Sequence, residues 1–370
     1  MANNGSLPIK YPVYQPDLSG NEKKYVADCI DSSWISSKGK YIDLFEKKIL
    51  EYTKIKYGTT VCNGTIALHL ALKSLGLGPG DEVIVPTLTY IASVNMIAEV
   101  GATPVFVDSS PSHWQMDVED VKRKITQNTK AIMAVHLYGH PCDMDDLVQI
   151  CADNNLLLIE DCAEAIGSLY RGKHVGSFGD IATFSFYGNK SITTGEGGMV
   201  VCSDYELYKK CVHLKTQGVT DKPYWHDVLG YNYRMTNICA AIGLAQMEKI
   251  SIILEKKRNI ALWYKKYLSE IPVEFHEEIG DVHHSYWMCS ILVNDASLRD
   301  PLREHLAKSG IETRPIFYPA HLMPMYNTRY GKYPHACSIG ARGINLPSYP
   351  MLTEKDIQEI CECIRSFFSS

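Results

Sequence analysis

No window of this 370-residue chain approaches 18 uninterrupted apolar residues, so nothing in it reads as a membrane-spanning helix. The first residues, Met1-Ala2-Asn3-Asn4-Gly5-Ser6, are polar and lack the apolar core of a secretory signal. Positive charge is not in excess: 37 Lys and Arg face 42 Asp and Glu, a net charge of -5. That balance removes the electrostatic ground for a nucleic-acid or anionic-membrane partner. Internal repeats and low-complexity tracts are missing. Cysteine is plentiful, at 12, but has no disulfide framework. Cys151, Cys162, Cys202 and Cys239 lie scattered in apolar segments, as small buried thiols of a reducing compartment do. Cys361 and Cys363 form a C-x-C with no second pair near them, which argues against zinc. The expectation is a soluble, cytoplasmic protein without a structural metal.

The composition, 45% hydrophobic and 21% charged, is that of a chain that buries a real core. Between residues 60 and 205 short β-rich runs alternate with helical patterns. The runs are Glu82–Val85, Pro104–Val107, Ala131–Val135, Leu156–Ile159, Ile181–Phe184 and Met199–Cys202. Several are continuously apolar and bounded by Gly, Pro or Asp, the pattern of strands covered on both faces. A mainly parallel sheet sandwiched by helices follows, with helices expected over Thr65–Leu75, Ser93–Val100 and Met144–Asp153. One long helical pattern runs from Asn237 to Leu268 and turns mostly charged after Glu255. It marks the passage from a large domain, residues 1–250, to a smaller one, residues 251–370. The smaller unit is expected to hold a strand in Tyr286–Val293, a helix over Leu298–Lys308, a Pro/Tyr/His-rich loop over Pro315–Tyr330 and a terminal helix over Glu354–Phe368.

The chemistry centres on Lys190. It follows the aromatic run Phe184-Ser185-Phe186-Tyr187 and precedes the glycine-rich turn Thr194-Gly195-Glu196-Gly197-Gly198. Asp161 ends the apolar run Leu156–Glu160, where ligands bind at the carboxyl ends of parallel strands. A lysine amine and a carboxylate brought forward by two core strands are what a pyridoxal phosphate (PLP) site needs. The lysine carries the cofactor as a Schiff base, and the acid keeps the pyridine nitrogen protonated. Glu164, three residues on, is placed to reach the ring's 3-hydroxyl side; a helix-start acid favoured by the dipole is the plainer reading. The turn Cys62-Asn63-Gly64-Thr65 opens an amphipathic helix, whose unpaired amides favour an anion. Gly64 admits a phosphate to the backbone, and Thr65 is the natural cap with a hydroxyl to spare; capping without a ligand also accounts for it. Ser185 is a second phosphate candidate, and Tyr90 can stack on a flat ring. His136 and His140 are four apart, but Gly139 and Pro141 break any helix that would pair them on a metal. The glycines follow Lys190, so the order of a nucleotide P-loop is absent.

Taken in order, these segments resemble the DegT/StrS-type PLP-dependent nucleotide-sugar aminotransferases. The resemblance runs from Gln15-Pro16 to the C-terminal helix. It is carried by Asn63-Gly64-Thr65, Gly101–Asp108, the Asp161 and Lys190 segments and Gly230–Met235. It implies PLP fold type I (aspartate aminotransferase-like), with a mainly parallel seven-stranded sheet in the large domain and a smaller α+β C-terminal domain. Within the family Ser33–Gly39, Pro86–Ser93, His136–Gly139 and Arg314–Pro319 match most closely the members that make a surface-polysaccharide (O-antigen) precursor. These transfer an amino group from L-glutamate to C4 of GDP-4-keto-6-deoxy-D-mannose, with pyridoxamine phosphate as intermediate. Another 4-keto or 3-keto nucleotide sugar is the alternative substrate. A PLP-dependent sugar dehydratase would carry His where this chain has Lys190, and a regulatory homologue would have lost cofactor residues that are all present here. The resemblance makes Lys190 the catalytic lysine and Asp161 the partner of the pyridine nitrogen. Ser185, Gly64 and Thr65 hold the phosphate, Tyr90 covers the ring, and Glu164 lies near the 3-hydroxyl, where many relatives have Gln or His. Asn232 resembles the family asparagine that crosses a homodimer interface to the other subunit's phosphate. Trp34, Arg234, Tyr318 and His321 are candidates for sugar or diphosphate contacts, with packing or an ion pair as the plain alternative.

Overall fold

The computed structural model describes residues 8–327 and 332–369. Met1–Ser6 and Tyr330, the far end of the expected Pro315–Tyr330 loop, lie outside the described residues. Seven strands form the central sheet: β1 (Tyr57–Val61), β2 (Glu82–Pro86), β3 (Thr103–Val107), β4 (Thr129–Val135) and β5 (Leu157–Asp161), then, after the two-residue strands β6 (Leu169–Tyr170) and β7 (Lys173–His174), β8 (Ile181–Ser185) and β9 (Gly198–Cys202). The order across the sheet is β1-β9-β8-β5-β4-β2-β3. β3, β2, β4, β5 and β8 run parallel, while β9 is antiparallel to both β8 and β1. The parallel strands are the continuously apolar runs, covered by helices on both faces as that composition requires.

The reversal at β9 matters for function. β8 does not cross over through a helix to reach its neighbour; it returns through the Phe186–Gly197 segment, and Lys190 sits on that return. Lys190 N–H donates to the Tyr187 carbonyl at 2.9 Å, and the Tyr14 hydroxyl donates to the Lys190 carbonyl at 2.5 Å. The lysine is thereby held at the carboxyl edge of the sheet, one strand from Asp161 at the end of β5.

The chain continues with β10 (Val273–Phe275), β11 (Val282–His283), β12 (Cys289–Val293), β13 (Arg314–Pro315) and β14 (Gly343–Leu346). β11 pairs with β6, which pairs with β7; the others form an antiparallel sheet of order β10-β12-β14-β13. The expected terminal helix is present over Glu354–Phe368, with Thr353 and Asp356 forming a reciprocal capping box. One apolar cluster runs from the central sheet (Val83, Val135, Ile159) into Met288, Leu292, Ile316 and Ile339, so the C-terminal segment packs directly on the large sheet.

One expectation needs correction. The helical pattern from Asn237 to Leu268 is two helices, Asn237–Glu248 and Ile250–Tyr267, bent by 65°. The break is at Lys249, whose backbone leaves the helical region at φ -122 and ψ 15. Its ammonium is bound by the N-terminal arm, 3.1 Å from Asp17 and 3.2 Å from Glu22. The first helix is buried over most of its residues, whereas the second alternates buried and charged positions. Each follows its own packing surface, and continuous periodicity does not record the change. Among the described residues no single helix is long and apolar enough to cross a membrane.

Candidate active site

A cavity of about 670 Å³ opens at the carboxyl edge of the parallel strands. Seven of the predicted residues line it together: Gly64, Thr65, Tyr90, Asp161, Glu164, Ser185 and Lys190. They come from four separate stretches of chain, and the strand order is what makes them neighbours.

At one end of the cavity the helix Gly64–Leu75 begins. Its cap is Asn63, not Thr65 as expected: Asn63 is extended (φ -165, ψ 171) and its side chain accepts the Ile66 N–H at 2.9 Å. The cap must precede the first helical turn, and Thr65 is already inside it. Thr65 is thus released to face the cavity, beside the positive end of the helix dipole. Gly64 presses on Ser185: a Cβ there would lie 2.6 Å from the Ser185 Cβ. Helix start and strand end therefore meet with no room for another methyl group, forming a small concave cradle of N–H and O–H donors.

Asp161 is buried, with one oxygen accepting the Ala163 N–H at 3.0 Å and the other the Ser93 hydroxyl at 2.7 Å. Ser93 is held in turn by Thr89 at 3.2 Å. These donors orient the carboxylate. Sequence reasoning had not singled out Ser93. Its signal was its place one turn beyond Tyr90, on the helix Ile91–Glu99 that Tyr90 opens. The Tyr90 ring is more than half exposed and lies 5.6 Å from the ring of Phe317.

Lys190 and Glu164 form a buried pair, with Nζ and Oε1 3.7 Å apart. The other Glu164 oxygen accepts the Tyr138 N–H at 2.7 Å. Burial pushes the Glu164 carboxyl up to about 7, against the opposing pull of Lys190. Burial also draws the Lys190 amine below its ordinary value, although Glu164 and Asp161 favour its charged form. Both partners move towards neutrality, because two desolvated charges at this separation do not recover their lost hydration. Trp287 completes the surroundings. Its ring centre lies 3.8 Å from Lys190 Nζ, and its indole N–H donates to the Asn189 carbonyl at 2.7 Å. No local motif announced Trp287, which is 98 residues from Asn189.

Five candidates lie away from this cavity's wall. Asn232 is exposed and accepts from the Arg234 guanidinium at 3.0 and 2.9 Å. Trp34 is exposed, and its carbonyl accepts from Asn237 at 2.7 Å. Tyr318 lies at the surface near Arg299. His321 is buried, with Nδ1 2.7 Å from the Thr87 hydroxyl and its ring 4.5 Å from that of Tyr333, a packed position.

His136 is buried beside Glu160 and Cys162, a grouping that resembles a ligand set. Its bonds are already committed. Nδ1 accepts the Cys142 N–H at 3.1 Å, so Nε2 carries the proton it shares with Glu160 at 3.1 Å. Glu160 also accepts the N–H groups of Gly176, Phe178 and Gly179 at 2.6, 2.7 and 2.7 Å. The knot secures the loop after β7 to the end of β5 and engages both His136 nitrogens and both Glu160 oxygens.

Residues 16–365 match the model of the DegT/DnrJ/EryC1/StrS aminotransferase family. The chain is 60% identical to a GDP-perosamine synthase of Escherichia coli O157:H7, over 98% of this chain and 100% of that one. It is 53% identical to a GDP-perosamine synthase of Vibrio cholerae, over 97% and 99% of the two chains. Among solved structures it is similar to a putative sugar aminotransferase of Streptococcus pneumoniae in its PLP form, with a TM-score of 0.91 at 30% identity over 97% and 98% of the two chains.

Proposed function

The chain belongs to the DegT/DnrJ/EryC1/StrS aminotransferase family, and we propose that it moves the amino group of L-glutamate to C4 of GDP-4-keto-6-deoxy-D-mannose, giving GDP-perosamine and 2-oxoglutarate. The observation that carries this reading is one cavity in which Lys190 and the doubly hydrogen-bonded Asp161 stand together with the helix start at Gly64 and Thr65 and the Ser185 hydroxyl. PLP is the cofactor of this family, and the residues fit it. The Gly64–Ser185 contact leaves a niche lined by donors and closed to any side chain larger than hydrogen. The Asp161 carboxylate is fixed by two donors and keeps lone pairs for a third.

When bound, pyridoxal phosphate supplies an electron sink that lets the α-hydrogen of the amino donor leave as a proton. The chain's own residues do the rest. Lys190 Nζ takes that proton and later returns one at the sugar's C4; an amine whose charged form burial disfavours is suited to both tasks. Asp161 would hold a proton on the ring nitrogen, with Ser93 and the Ala163 N–H orienting the carboxylate. Gly64, Thr65 and Ser185 would hold the phosphate and Tyr90 would cover the ring, while Glu164 lies beside the amine. Asn232 belongs to a loop that exposes Tyr224 (95%) and Leu229 (87%), apolar surface of the kind a second copy of the chain covers. In the homodimer this reading requires, Asn232 enters the partner's cavity.

A glutamate-dependent amination assay against GDP- and UDP-linked 4-keto and 3-keto sugars tests the reading. Turnover is expected with the GDP-linked 4-keto sugar and is abolished in Lys190→Ala. Turnover with a different keto sugar alone overturns the substrate assignment; none with any keto sugar, in protein that has bound PLP, overturns amino transfer.

A further inference from the structure

Lys190 carries its amine on a stretch with no helix or strand of its own, between the end of β8 and the start of β9. The direction of its Cα–Cβ bond is set by the two peptide planes that flank it. Each plane is held by a side chain from outside the stretch. The Trp287 indole N–H donates to the Asn189 carbonyl at 2.7 Å, and the Tyr14 hydroxyl donates to the Lys190 carbonyl at 2.5 Å. Among the described residues that hydroxyl is the one donor to the Lys190 carbonyl. Tyr14 is itself anchored from both directions. The Val13 N–H donates to Glu312 at 2.9 Å, and the Val13 carbonyl accepts the Ser348 N–H at 3.2 Å, both partners lying in the C-terminal segment. Three residues beyond Tyr14, Asp17 pairs with Lys249 at 3.1 Å, and its carbonyl accepts from Gln246 at 2.8 Å. The centre of the Tyr14 ring lies 5.2 Å from Nζ of Lys257, a fully buried side chain that donates to the Ser348 carbonyl at 2.5 Å. Burial raises the Tyr14 phenol well above its ordinary value, so the hydroxyl keeps its proton and remains a donor in neutral and mildly alkaline solution.

We infer that Tyr14 is a positioning residue for Lys190: its hydroxyl sets the peptide beyond the lysine, so that the amine returns to one place in both half-reactions. The inference rests on the amino-transfer reading, in which Lys190 Nζ removes a proton from the amino donor and later delivers one to the sugar. Proton transfer requires the nitrogen within hydrogen-bond reach of the reacting carbon's proton. Lysine is long and flexible, so a small rotation of the peptide at Cα is multiplied along the side chain before it reaches Nζ. A misplacement of about 1 Å can cost such a step about 100-fold. The stretch cannot fix this rotation alone, because the Lys190 carbonyl has no partner within it. The hold comes instead from the N-terminal arm, which is tied to the C-terminal segment on one side of Tyr14 and to Lys249 on the other. Tyr14 is not on the cavity wall, so it acts on substrates only through Lys190. One lysine serves both substrates, and losing the hold must therefore slow both half-reactions alike.

Tyr14→Phe removes the hydroxyl and keeps the ring, and two measurements test the consequence. In the PLP-loaded enzyme the half-reactions are followed separately by the visible absorbance of the bound cofactor. Each is expected to slow about 10-fold at saturating substrate, while the half-saturating concentrations of glutamate and keto sugar change by less than about 3-fold. In the cofactor-free protein, hydrogen exchange reads the peptide directly. The Lys190, Thr194 and Gly195 amides close the stretch on Tyr187, Phe186 and Thr193. They are expected to exchange about 2–10-fold faster, the range for losing one hydrogen bond. Amides of β12 and β14 keep their wild-type rates, and the melting temperature moves by less than about 2 °C. Slowing of one half-reaction alone makes Tyr14 a residue of that substrate's site and overturns the inference. So do unchanged rates in both, or faster exchange spread over β12 and β14, the mark of a purely structural role. Faster exchange confined to the Lys190 stretch, in a protein that binds PLP but transfers no amino group, upholds the hold on Lys190 while removing the amino-transfer reading.

Discussion

Glu164→Gln in the cofactor-free protein should stabilise the fold at high pH and leave it unchanged at low pH. The carboxyl is buried, its charged form is compensated only by Lys190 at 3.7 Å and the Tyr138 N–H, and its pKa stands at about 7 instead of 4.5. A folded-state pKa above the unfolded value means that the native protein binds the extra proton between those limits. Stability is therefore full below about pH 4.5, falls through the window, and is lowest above about pH 7. A difference between 7 and 4.5 corresponds to about 3 kcal/mol. The glutamine amide keeps an oxygen for the Tyr138 N–H and never ionises, so the variant avoids this penalty. Unfolding entropy near ~2 cal/mol/K per residue gives roughly 0.8 kcal/mol/K for the whole chain, so the expected gain is about 4 °C in melting temperature at pH 8.5. At pH 5 the two proteins should melt within about 1 °C of each other. The assay is a pair of calorimetric scans at each pH. A variant no more stable than wild type at pH 8.5, or equally favoured at both pH values, refutes the argument that burial outweighs ion pairing at this site.

Gly64→Ala forces a Cβ to within 2.6 Å of the Ser185 Cβ, so the helix start must retreat from the phosphate cradle. Overpacking of this kind costs ~1–3 kcal/mol. We expect cofactor affinity, measured by absorbance titration, to fall about 10-fold or more, and unchanged affinity would contradict the cradle. Ser93→Ala removes the donor on Asp161 Oδ2. A hydrogen bond to a charged group is worth ~1.5–3 kcal/mol, so faster cofactor release by about 10-fold is expected in a dialysis or competition assay, with little change in melting temperature of the cofactor-free chain. Trp287→Leu takes the ring from Lys190 Nζ, whose charged form the ring's face favours by ~0.5–2 kcal/mol. The pH midpoint for acylation of Lys190 in the cofactor-free protein should therefore drop by up to about 1.5 units, with Trp287→Phe retaining most of the wild-type value. An upward shift would rule out a cation–π contribution.

Legibility in the sequence followed the range of the interactions. The strands from Glu82 to Cys202 were readable because a strand buried on both faces must be apolar throughout, and that requirement is met within five residues. Lys190 and Asp161 were readable because they sit at strand ends, where a core strand gives way to a loop. The cap at Asn63 was misassigned by two residues, since any small polar residue near a helix start satisfies the same local rule. The bend at Lys249 was hidden because the surfaces the two helices pack on, and the Asp17 and Glu22 carboxylates that bind the Lys249 ammonium, come from distant parts of the chain.

The amino-acid sequence by itself determined the sheet's parallel core, the helix that offers its amides at Gly64, and the presence of one lysine and one carboxylate at strand ends. Tertiary structure alone decided what stands against them: Ser93 on Asp161, Trp287 and Glu164 on Lys190, and Tyr14 on the Lys190 carbonyl. The reason is physical. Backbone conformation and burial pattern follow from each residue and its near neighbours, whereas a desolvated amine is tuned by whatever charge or ring lies within about 4 Å. Strand order and sheet register, set by the packing of the whole chain, choose those neighbours.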